Sequence, residues 1–276
     1  MMETGTKVAR PLGWLLLGAA AAQIAAPVVQ SLVGASEPGE GSEDLLITPA
    51  GWTFSIWSLI YLLAVAHAVV TLRWGTGTDQ PRRFTRDLAL LYVGAAVWIV
   101  LSSVGSSWGT FAALAVMTAL ALDAARIAAR SGPPMDAPAW TGTLARATSG
   151  LYAGWVSAAV FLNLSTALIE SDIADSSAQL WQIGLLVVAL GVAFLVDRWL
   201  GRGLAYPAAL AWASLGIAVA VREVSTPAFV IAVVGAVGFG ARALLRWRGS
   251  AAAPGDAGSR AAQEQSTEAA RLQGPA

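Results

Sequence analysis

At about 100° per residue, Phe54, Trp57 and Tyr61 fall within a ~60° arc of the helix that the apolar run from residue 51 implies. Rings in register on one face can lie against a flat hydrophobic molecule, because aromatic faces and edges attract beyond the area they bury. Tyr152, Trp155 and Asn163 repeat the device on a later run, within a ~80° arc. There the rings are joined by an amide that can read one polar group. The bland alternative is helix packing, yet helices in lipid approach through small residues. Bulky rings in register therefore point to a gap between helices that a planar molecule could fill, with Asn163 either in that gap or bonded to a neighbouring helix.

Other chemistries are poorly supplied. The chain has no cysteine and a single histidine, which excludes thiol catalysis, iron–sulfur ligation and a multi-histidine metal site. That histidine, His67, points more than roughly 100° away from the aromatic stripe and reads as structural. No Ser/His/Asp set, HExxH or phosphate-binding glycine loop is present, so no catalytic residue is assigned. Asp123 lies one turn from Arg126 and Asp197 adjoins Arg198, so both acids have a cation within reach at a segment end. With no charge at mid-membrane, ion-coupled transport is disfavoured.

These residues need long apolar elements to carry them. Of 276 residues, 56% are hydrophobic and 12% charged, far below the roughly 25% charged content of soluble domains. The mean hydropathy is +0.63. Eight runs approach the ~20 apolar residues that cross a bilayer, at about 12–33, 51–72, 88–104, 108–129, 147–169, 179–196, 203–221 and 226–245. Without period-2 alternation they must be helices, since lipid cannot satisfy backbone groups. The expected fold is an all-α bundle of about eight transmembrane spans.

With the N-terminus inside, sixteen of the seventeen basic residues fall in inner segments and only Arg222 falls outside. The outer loops collect Glu37, Glu40, Glu43, Asp44, Glu170, Asp172 and Asp175. Both termini are thus expected in the cytoplasm, and no basic nucleic-acid face emerges. The first run, preceded by Lys7 and Arg10, continues to Val33, longer than a signal-peptide core, and is read as a retained span. From Gly249 the Ala-, Gly-, Gln- and Glu-rich chain reads as a disordered tail. Of the twelve tryptophans, Trp57, Trp98, Trp155 and Trp212 lie deep in their runs and Trp14, Trp74, Trp108, Trp181, Trp199 and Trp247 near their ends, where interfacial anchoring suffices.

The second and fifth runs resemble the TspO/MBR family, tryptophan-rich sensory proteins related to the mitochondrial translocator or peripheral benzodiazepine receptor. Pro49, Phe54, Trp57 and Tyr61 carry that family's proline, Phe, Trp and Tyr pattern, with Phe54 one residue nearer the tryptophan than usual. "YAGWVSAAVFLN", Tyr152 to Asn163, matches the spacing of the family's last core helix, with Leu151 in place of a proline. On the third run Trp98 matches, but Ala95 and Ile99 stand where the family has Asn and Ser. The resemblance covers about residues 10–170.

It implies a five-helix core over 1–170 and does not account for the three additional helices that hydropathy gives over 171–248, which the tail over 249–276 follows. It also implies a pocket among the core helices, roofed by the loop after the first helix, for a hydrophobic planar ligand, a porphyrin-type tetrapyrrole above all. Pro49 with Trp52 would shape the lid; Trp57, Tyr61, Trp98, Tyr152 and Trp155 would wall the pocket, Phe54 would join them in binding the ligand, and Asn163 would anchor it. A sterol is less favoured, because no Lys or Arg closely follows any tyrosine. No cofactor or metal is expected, a tetrapyrrole being a ligand. Sensing, sequestration or transport would follow. The alternatives are an enzyme degrading bound porphyrin and a carrier or scaffold whose specificity lies in the last three helices. The expected partners are the lipid bilayer and a hydrophobic small molecule, with a homodimer left open. An almost lysine-free, alanine-rich composition suggests GC-rich coding and, with the resemblance, a bacterial inner-membrane location.

Overall fold

A computed structural model of the chain describes residues 10–34, 45–131 and 137–251. The helices are α1 (Arg10–Leu32), α2 (Ile56–Trp74), α3 (Pro81–Ser103), α4 (Ser107–Arg130), α5 (Ala139–Glu170), α6 (Gln179–Leu200), α7 (Ala205–Val221) and α8 (Thr226–Ala251), with no strand among the described residues. Seven helical segments are long and apolar enough to cross a membrane, and α7, with 17 residues, is a shorter apolar helix. At 1.5 Å per residue α7 spans about 25 Å, less than the ~30 Å of a hydrocarbon core. Lys7, Glu37, Glu40, Glu43, Asp44 and nearly all of the expected tail lie outside the described residues.

Two helices begin earlier than hydropathy places them. α3 starts at Pro81, seven residues before the apolar run, because proline suits a first helical position and the polar turn Arg82–Asp87 continues the helix. α5 starts at Ala139, where the Pro138 carbonyl accepts bonds from both the backbone N–H and the hydroxyl of Thr141. Its 32 residues extend about 48 Å, longer than a span requires.

α1 packs on α2 and α3, α4 on α3 and α5, and α2 on α5, closing a ring in the order α1, α2, α5, α4, α3. α7 lies between α5 and α8, and α6 leans on α5 and α8. The α5–α7 contact is made by glycine. A Cβ on Gly154 would lie 2.5 Å from the Tyr206 carbonyl oxygen and 2.8 Å from Ala209 Cβ, and one on Gly150 3.1 Å from Ala205 Cβ. Gly150-Leu-Tyr-Ala-Gly154 is thus a small-xxx-small seam that lets two backbones touch.

The polar ends are cross-linked between helices. Asp123 pairs with Arg83 of α3 through Nε at 2.8 Å and Nη2 at 2.6 Å, and not with Arg126 on its own helix. Arg126 instead covers the Trp199 ring at 3.8 Å from its centroid and donates to the Trp199 carbonyl. Asp197, fully buried, takes Arg242 and Arg246 from α8 in place of its neighbour Arg198. His67 is structural: fully buried, its Nε2–H donates to the Thr76 carbonyl at 3.0 Å and its ring meets Phe84 edge-on.

Candidate functional site

Trp57 is the hub of an aromatic cluster. Its ring stacks on Tyr61 (centroids 5.5 Å apart) and on Trp98 (6.0 Å), and meets Tyr152 (5.8 Å) and Trp155 (6.3 Å) edge to face. Phe54 meets Trp155 edge-on at 5.7 Å. Phe54 does so from a 3-10 turn, Gly51–Ser55, that precedes α2, so it is not on the helical wheel that groups it with Trp57 and Tyr61. The rings are packed on one another, and the open space lies beside them.

That space is a cavity of about 240 Å³. Pro49, Phe54, Trp57, Trp98, Trp155 and Asn163 border it. Tyr152 does not: it is fully buried on the ring axis, stacks on Tyr92 and donates its hydroxyl to Gln23 Oε1 at 3.0 Å. Tyr61 stacks on Trp57 without bordering the cavity, and neither does Trp52, which is 44% exposed. Asn163 is held in place, accepting from Trp98 Nε1–H at 3.1 Å and donating to the Ala159 carbonyl of its own helix at 3.1 Å. One Nδ2 hydrogen is left over after that bond, since an amide nitrogen carries two.

The opposite wall comes from beyond the five-helix ring. Leu186, Leu190 and Ala193 of α6 and Leu210, Ala213 and Ile217 of α7 face the aromatic wall. At the end away from the arginines the cavity becomes polar, with Ser102, Ser106, Ser107 and Thr110 around the α3–α4 turn and Thr166 and Glu170 on α5. Gly105, at φ +68°, permits that tight turn. From Trp155 to Glu170 the site runs about 22 Å along α5. None of the α6, α7 or hydroxyl residues was selected from sequence; the signal that could have found the second wall is the Gly150–Gly154 spacing, which marks α5 as a surface for another helix.

The lid is also held from beyond the ring. Ala50 N–H donates to the Gly216 carbonyl at 3.1 Å, Trp212 Nε1–H to the Thr53 carbonyl at 2.8 Å, and Leu46 N–H to Gln182 Oε1 at 2.8 Å. Trp52 and Trp212 meet edge-on at 4.8 Å. A Cβ on Gly216 would lie under 3.0 Å from both Oγ1 and Cγ2 of Thr53, so rotating Thr53 gives no relief. Gly216→Ala is therefore expected to lift the lid, with overpacking of about 1–3 kcal/mol. Hydrogen exchange at Ala50 and Thr53 should accelerate about tenfold while the buried α3–α4 amides stay protected; unchanged exchange would mean that the lid does not rest on α7.

No curated protein and no solved structure matches this sequence. A family model described as TSPO-like protein matches residues 14–245, reaching from α1 into α8 and so including the helices beyond residue 170 that the motif resemblance left unexplained. With that match over most of its length, the chain belongs to the TSPO-like protein family and is a multi-pass helical membrane protein.

Proposed function

We propose that the protein binds a planar hydrophobic molecule between the aromatic wall of α2, α3 and α5 and the aliphatic wall of α6 and α7, for sensing, sequestration or transport. The observation carrying this is one partly open cavity bordered by three tryptophans and a fixed amide. Apolar walls with a few placed polar groups are the usual make-up of small-molecule sites. Arginine-rich helix ends on one side support cytoplasmic termini in a bacterial inner membrane.

A porphyrin-type tetrapyrrole is the ligand that the family resemblance favours. At about 240 Å³ the cavity is below the roughly 300–1,000 Å³ of sites that enclose drug-sized ligands, so a macrocycle requires α6 to move outward. α6 is the element to do so, because it exposes most of its length and packs less tightly than α7.

The test is quenching of intrinsic tryptophan fluorescence in nanodiscs by pyrene, by protoporphyrin dimethyl ester and by cholestane as an aliphatic control. Saturable quenching by the two planar molecules alone is expected, and Trp155→Leu should weaken it about tenfold. Absent quenching, or equal binding of the aliphatic control, would overturn the reading.

A further inference from the structure

The charge of the site narrows its ligand further. Among the described residues lining the cavity there is no Lys, Arg or His, and the only ionisable side chain is that of Glu170, which stands at the mouth on the last residue of α5. The surface around that mouth has the same sign. Asp172 and Asp175 follow in the next turn, and Arg222, the one described cation at this end, is paired with Glu223 at 3.3 Å. Ser177 donates both its backbone N–H and its hydroxyl to Asp175, holding that carboxyl below the usual carboxylate range.

Inside, the walls are tryptophan, whose faces carry the negative end of a quadrupole and attract cations. A carboxylate brought into this space would meet no basic partner, and Trp98 and Asn163 have already spent most of their donors on each other and on Ala159. An unpaired buried anion is among the costliest groups to place. A cation, by contrast, finds aromatic faces below and a carboxylate above, in a mouth where clustered negative charge raises its local concentration.

We infer that the cavity selects an aromatic monocation, a planar apolar body ending in an amine or quaternary ammonium, over neutral and especially anionic molecules of the same shape. This rests on the small-molecule reading above and gives its ligand a charge. The body lies against Trp98, whose Nε1–H bonds Asn163 about 10 Å along α5 from Glu170, and the ammonium group points to Glu170 between the hydroxyls of the α3–α4 turn. A free dicarboxylate porphyrin is disfavoured by the same arrangement.

The experiment is calorimetric titration of the full chain in zwitterionic nanodiscs with three probes of one shape: (2-naphthylmethyl)trimethylammonium, its neutral carbon isostere 2-neopentylnaphthalene, and 2-naphthylacetate. The cation should bind about tenfold tighter than the neutral isostere, and the anion weakest. Glu170→Gln should cut the cation's advantage several-fold, and Glu170→Asp should restore most of it. Equal binding of cation and isostere, or an advantage unmoved by Glu170→Gln, overturns the charge assignment and leaves the planar-ligand site standing. Failure of all three probes, together with pyrene, overturns both.

Discussion

Asp197→Leu should destabilise the protein by about 3 kcal/mol, because removing one partner from a buried ionic cluster strands the others. Asp197 is fully buried; Arg246 donates to its two carboxylate oxygens at 2.7 and 3.0 Å, and Arg242 donates through Nε. Arg246 also reaches the Gly203 carbonyl at 2.7 Å, so the triad ties the α6–α7 turn to α8. The arginines keep some exposure, 30% and 17% at their side chains, which holds the cost toward the lower end of the range for broken buried pairs. Thermal unfolding in detergent measures the loss. Replacing all three residues with leucine should recover most of it, since apolar groups of similar volume often substitute for buried ions without penalty. A wild-type melting point for Asp197→Leu would mean that the triad holds nothing together.

Eight helices were legible because lipid leaves the chain no other way to satisfy its backbone, and hydropathy reports that directly. Their polar extensions were not. The turns Arg82–Asp87 and Ala139–Arg146 are helical although neither start carries a side-chain cap, and their more polar composition makes apolar windows end short of them. The ion-pair partners were not legible for a related reason: Arg126 and Arg198 are near Asp123 and Asp197 in the chain, but the helix faces turn those acids toward Arg83 and Arg242.

In the candidate site, the aromatic residues could be grouped from their spacing, and six of the nine named residues border one cavity. What spacing could not show is which side of a ring is free. Tyr152 and Tyr61 sit at the right helical angles, yet one is buried against Tyr92 and Gln23 and the other spent on stacking with Trp57. The second wall depends on α5 meeting α7, a pairing between residues some fifty positions apart, and the cavity is consequently built across residue 170.

That pairing is the most exposed joint of the whole arrangement, and Gly154→Leu is expected to break it. The new Cβ would meet a backbone carbonyl, Tyr206 O, at 2.5 Å, and Ala209 Cβ at 2.8 Å, neither of which can rotate away. α7 must then back off, and it carries both the lid contacts through Trp212 and Gly216 and the wall contributed by Leu210, Ala213 and Ile217. Overpacking alone costs about 1–3 kcal/mol, and the lost α7 contacts add to it. A large drop in melting temperature is expected, together with exchange of the Ala50 and Thr53 amides faster than Gly216→Ala produces, since every α7 tether of the lid moves at once. Gly184→Ala on α6, where an added Cβ meets nothing within 4 Å, should leave both quantities near wild type. If Gly154→Leu melted like Gly184→Ala and kept the lid protected, α5 and α7 could not be in backbone contact, and the cavity would lose the wall that distinguishes it from a gap open to lipid.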